Sequence, residues 1–110
     1  MIRVLMSSAA AALLRAILAR ADVPRERILL TDIHSVDWQS LTMVGERHEF
    51  GVRIPGPGAG EVAAKLCNGL AEAEFTIAGH IVADIAVTDG ALPGDDGSIS
   101  LQIEALTISA

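Results

Sequence analysis

The chain predicts an α+β fold: an N-terminal helix, then a ββαββ unit whose antiparallel sheet carries its helix on one face, all in a single domain spanning 1–110. Three observations predict it. "RHEFGVRI" alternates apolar and polar residues as a half-buried strand does. Two other stretches, 9–20 and 59–73, repeat their apolar residues at helical spacing. Prolines, glycines and an aspartate pair punctuate the runs between. A chain of 110 residues holds one core and not two.

Taken in order, Ser8 is the expected cap of the first helix, over 9–20, where alanine and leucine favour the helical backbone. Leu13, Leu14, Ile17, Leu18 and Ala21 form its apolar stripe, Arg15 and Arg20 lie off it, and Asp22 and Pro24 stop it. "RILLTDIHSV", about 27–36, reads as the first strand. "DWQSLTMVGE" then reads as a loop with a short extended part. In the second strand His48, Phe50, Val52 and Ile54 share one face, while Arg47, Glu49, Gly51 and Arg53 share the wet one; the two strands are expected to form a hairpin. The second helix, over 59–73, turns Val62, Ala63, Leu66, Cys67 and Leu70 inward and Glu61, Lys65, Asn68 and Glu72 outward. "HIVADIAVTD" is the third strand and "SISLQIEALTIS" the fourth, with "GALPGDDG" as the tip between them. In the fourth, Ile99, Leu101 and Ile103 share a face; beyond Ala105 the phase flips to Leu106 and Ile108, which predicts a bulge there or a strand leaving its first sheet partner.

Composition narrows function. Hydrophobic residues make up 51% of the chain and charged ones 20%. This is too apolar for a disordered segment, and it predicts an aliphatic core or apolar surface buried between subunits. The formal charge of −6 disfavours a nucleic-acid binder, which needs a basic face, and an anionic membrane surface. No run approaches the roughly 20 apolar residues of a membrane span. Arg15 interrupts, and Ser7 and Ser8 dilute, the apolar stretch that would otherwise resemble a signal peptide. One cysteine excludes an internal disulfide framework.

The stretch "VRIPGPGAGEVAAK" runs from strand through glycines into helix, as phosphate-binding loops do. Gly56, Gly58 and Gly60 are nevertheless spaced G-x-G-x-G, with Glu61 where a dinucleotide site needs the last glycine. Pro55 and Pro57 remove two backbone donors, and Glu61 repels a phosphate. The glycines read as punctuation. His34, His48 and His80 fall on three different strands without ligand spacing, so no metal is expected. Cys67, on the inner helix face, reads as packing. No nucleophile elbow appears, no carboxylate pair gains an acid–base role, and neither an enzyme nor a cofactor is expected. Trp38 either roofs the core or anchors an interface.

One resemblance emerges from these elements. A short helix and strand lead into "DWQSLTMVGERHEFGVRI", followed by a helix with "AAKLCNGLAEAEF", then "HIVADIAV" and a last strand preceded by a polar hairpin. Trp38, Ser40 and Thr42, the run Gly45-Glu46-Arg47-His48, and Lys65, Cys67 and Leu70 carry the match. The chain resembles the tail-terminator (tail-completion) proteins of long-tailed phages and of gene transfer agents. The resemblance implies a non-enzymatic homo-oligomeric ring, commonly a hexamer, in a virion or phage-like particle assembled in the bacterial cytoplasm. The ring would cap the head-proximal end of the tail tube, join the tail tube protein to the head-completion (stopper) protein, and let DNA pass without specific binding or membrane contact. With that reading, the 37–46 loop is the expected partner interface, through Asp37, Trp38, Gln39, Leu41 and Met43, and Asp95 and Asp96 at the 90–97 tip are expected to face the channel. The alternatives are a small α/β ligand-binding or regulatory domain, or another connector or tube subunit.

Overall fold

The computed structural model describes residues 6–110, Asp89 by its backbone alone. The elements are α1 (Ser8–Ala21), β1 (Leu29–Gln39), β2 (Val44–Ile54), α2 (Ala59–Cys67), β3 (Thr76–Ile77), β4 (His80–Pro93) and β5 (Ile99–Ser109), with 3₁₀ turns at Arg25–Arg27 and Leu70–Glu72. The expected helix and ββαββ unit are therefore present. The two-residue β3 is an addition, too short to leave a periodic signal. The sheet is antiparallel throughout, in the order β1-β2-β5-β4-β3.

Both helices lie on one face of this sheet and share one core. Leu13, Ile17 and Ala21 of α1 and Val62, Ala63 and Leu66 of α2 pack in the same cluster as Phe50, Val52 and Ile54 of β2 and Leu101 and Ile103 of β5. The face expected for β2 is thus the buried one; Phe50 and Ile54 have no exposed surface. The opposite face has no helix over it among the described residues and carries Arg47, Glu49, Arg53, Gln102 and Glu104, as the alternation of a one-sided sheet requires.

Several boundaries differ from expectation, each for a local reason. The α1 cap is Ser7, whose hydroxyl accepts from the Ala10 amide at 3.1 Å. The helix ends at Asp22, in the left-handed region with φ 53°. The second helix stops at Cys67 instead of 73. Gly69 takes a left-handed φ of 70°, and Arg20 donates to the Asn68 carbonyl at 2.7 Å, so α1 caps the freed end of α2. Leu70 still reaches the core from the following 3₁₀ turn.

The last strand has neither the expected bulge nor a change of partner, although Ile108, past the expected phase flip, is buried on the other face at 7% exposure. β5 pairs with β2 without interruption from Ile99 to Ile108. Ala105 and Thr107 continue its buried face, at 2% and 0% exposure. The irregularities lie in its other neighbour, β4, at Val82/Asp84, Val87/Asp89 and Asp89/Leu92. Thr107 reads as outward in the sequence because it is polar; it stays inside because His48 satisfies its hydroxyl.

Candidate functional site

The two loops expected to carry function are shorter than the sequence suggests. "DWQSLTMVGE" is mostly strand. Asp37, Trp38 and Gln39 end β1, paired with Glu46, Gly45 and Val44 of β2, and only 40–43 form the turn. Ser40 closes that turn, its amide donating to the Met43 carbonyl at 2.9 Å and its hydroxyl accepting from the Met43 amide at 3.2 Å. The tip is apolar and uncovered. Leu41 is 104% exposed, and Met43 and Val44 are exposed beside it.

Trp38 is half-buried on a strand, not in a loop. It lies three residues from Ser35, whose hydroxyl points to the helix side, and so belongs to the open face. Directly opposite is Gly45, where an added Cβ would stand 2.0 Å from the Thr107 carbonyl oxygen. Gly45 therefore serves a close approach of β2 to β5. Val36 and Ile81 extend the exposed apolar surface near this end of the sheet.

Beneath the hairpin sits a polar cluster. His48 is fully buried; its Nδ1 lies 2.7 Å from Ser35 Oγ and its Nε2 2.8 Å from Thr107 Oγ1. The ring thus joins β1, β2 and β5, and it stacks near Phe50 with ring centroids 6.1 Å apart. A neutral imidazole donates from one nitrogen and accepts at the other, and either hydroxyl can take either role. Burial lowers the His48 pKa below its ordinary 6.5; Glu46 acts the other way, and His80 adds to the lowering. Both ring nitrogens are occupied by hydroxyls, which fix the ring between the strands. The cluster is a three-strand staple.

Next to it, Asp37, Glu46, His80, Thr107 and Ser109 border a notch of about 330 Å³ at the sheet end. The His80 Nδ1 is shielded from solvent and has no hydrogen-bond partner among the described residues. No group of three or more histidine, cysteine or acidic side chains among the described residues could hold a metal. Cys67 is half-buried, and burial raises its pKa, which disfavours the thiolate.

The second expected loop, 90–97, is half strand: β4 runs to Pro93. Gly94 donates to the Ser98 carbonyl at 2.8 Å to close the turn. Asp95 is exposed. Asp96 pairs with Arg53 of β2 and accepts from the Ser98 amide at 3.1 Å and from its hydroxyl. The Ser98 bonds, with Arg53 behind them, hold its carboxyl below the usual range. The turn also leans on the glycine stretch, since a Cβ on Gly56 would lie 2.8 Å from the Gly97 carbonyl oxygen. Arg27 meanwhile donates to the Pro57 carbonyl at 2.8 Å. The glycines after β2 thus make room for a neighbouring turn, and that turn is tied to the sheet.

One further surface left no mark on the sequence reading. Leu14 and Leu18, assigned to the core stripe of α1, are only half-buried. With Met6, Val23 and Pro24 they line a groove of about 470 Å³ along the outer side of α1, and Arg15 and Arg25 stand beside it. The signal was present in the width of the stripe, which is broader than one packed helix face needs.

No family model, curated protein or solved structure matches the chain.

Proposed function

We propose that this chain is a structural subunit of a phage-like particle, a tail terminator that forms a ring at the head-proximal end of the tail tube and joins the tube to a head-completion protein. The observation that carries the reading is the uncovered apolar end of the β1–β2 hairpin. Leu41, Met43 and Val44 expose their side chains, uncovered by any of the described residues, a cost that association removes. The resemblance of "DWQSLTMVGERHEFGVRI" and "AAKLCNGLAEAEF" to tail terminators adds the kind of assembly. The acidic balance suits a conduit for a sliding polyanion.

Light scattering of the chain alone and with its tail tube protein tests this. The expected result is a mass several times the 11.5 kDa of one chain in at least one condition; a strict monomer in both overturns the reading. Trp38→Ala should weaken assembly while leaving the circular dichroism of the subunit unchanged. Asp95→Lys with Asp96→Lys tests the channel assignment. The ring should persist, and DNA passage should slow as phosphate contacts replace repulsion.

The groove along α1 favours a second reading, a small module that binds an apolar ligand. A monomer that gains thermal stability with a fatty acid or a hydrophobic dye would select it.

A further inference from the structure

The hairpin tip and the α1 groove are complementary and share no residue. The tip is an apolar knob: Leu41 is wholly uncovered where the β1–β2 turn projects past the end of β5, with exposed Met43 beside it. The groove is concave, and its floor is aliphatic, formed by Leu14, Leu18 and Val23. Their charges are opposite. Asp37 and Glu46 face each other across the strands behind the tip, while at the groove Arg15 and Arg25 outnumber the one acidic residue, Asp22. Neither arginine is in an ion pair among the described residues, where Arg53–Asp96 is the single such pair. In a chain of net charge −6, two unengaged arginines beside an apolar groove mark a place for an acidic, apolar visitor. The chain's own hairpin is one.

We infer that copies of this chain mate head to tail, the β1–β2 hairpin tip of one copy seated in the α1 groove of the next. The inference deepens the ring reading and rests on its self-association. A contact between two different patches is heterologous, so each copy offers one free knob and one free groove, and the chain of copies ends only by closing on itself. Leu41 and Met43 fill the groove, Asp37 and Glu46 approach Arg15 and Arg25, and the exposed apolar surfaces of both partners leave water together.

Two surface variants test it: Leu41→Asp, which destroys the knob, and Ala19→Glu, which puts a charge in the groove at an exposed helix position. Both positions are solvent-exposed, so the circular dichroism and melting point of the subunit should match wild type. Each variant alone, under the condition in which wild type assembles, should remain a monomer. Mixed in equal amounts and cross-linked, they have one intact knob and one intact groove between them. The expected product is a heterodimer of twice the 11.5 kDa chain mass, with nothing larger. If either variant alone assembles as wild type does, the inference fails while the ring reading stands. A groove filled by a small apolar ligand would give that result for Ala19→Glu. If both variants are monomeric but the mixture yields no heterodimer, the two surfaces are not mates and the inference fails. If wild type is a monomer with and without the tube protein, the ring reading fails as well.

Discussion

His48 is the polar centre of an otherwise aliphatic core, and its bonds to Ser35 and Thr107 make three strands depend on one neutral ring. Its folded pKa is depressed below 6.5, so the unfolded chain binds the proton more readily. The contribution is full above the unfolded value and is lost as pH falls below it toward the folded value. Denaturant melts across this range should show stability declining below about pH 6.5. His48→Leu should flatten that decline, while costing about 1–3 kcal/mol for the hydroxyls left unpaired. A decline of the same slope in the variant would place its origin elsewhere. Phe50→Ala should cost about 3–5 kcal/mol. Gly45→Ala, which drives a methyl into the Thr107 carbonyl, should cost about 1–3 kcal/mol. Glu49 faces Glu104 across β2 and β5, so Glu104→Gln should be neutral or raise stability by a few tenths of a kcal/mol at low salt. The placement of His48 and Phe50 was legible because β2 alternates strictly. That of Thr107 was not, because a polar residue on a core face is recognisable only once its partner, here 59 positions away, is known.

At the scale of elements, amphipathic segments covered on one side could be read from the sequence, as could most of β1 and β4, but the far ends of those outer strands could not. β2, the core half of β5 and the inner face of α2 carry apolar residues at the period of their geometry. β1 is an edge strand with one mixed, exposed face and one weakly buried face, so its last residues Asp37, Trp38 and Gln39 looked like loop. The same holds for the end of β4, which reaches Pro93 through three irregularities. Those irregularities also separate the two outer edges in kind. Much of the outer side of β4 is kinked and has only Thr76 and Ile77 beside it, a form that resists pairing with another sheet. β1 is regular from Asp32 to Gln39. Asp37, Trp38 and Gln39 therefore sit on a firm ribbon, which also carries the turn that holds Leu41 and Met43, the kind of support that positions a contact. The Asp95–Asp96 turn gains its firmness from side chains instead. Asp96→Asn should speed hydrogen exchange at the Ser98 amide, which it now holds, and leave the β1–β2 hairpin amides unchanged; equal rates in variant and wild type would show that backbone pairing alone orders the turn.

For the whole molecule, the sequence conveyed the α+β class and the order of the elements but not their neighbours. Strand order depends on which edges meet, and no local pattern encodes that. The outcome is a sheet whose middle is built by β2 against β5, so that Gly45 lies beside Ile108. That seam has a consequence in time. The hairpin of β1 and β2 can form early, but its inner edge stays open until the last strand arrives, and the helices have no complete surface to cover until then. Long-range pairing of this kind makes for slow, all-or-none folding. A ribosome-bound chain ending before β5 should lack protease resistance, and folding should begin only once residues 99–109 are free of the exit tunnel. Resistance appearing with β1, β2 and the helices alone would show that the seam is dispensable. Until it closes, the apolar hairpin end and the unpaired edge of β2 are exposed together, and chaperone demand should be greatest in that interval.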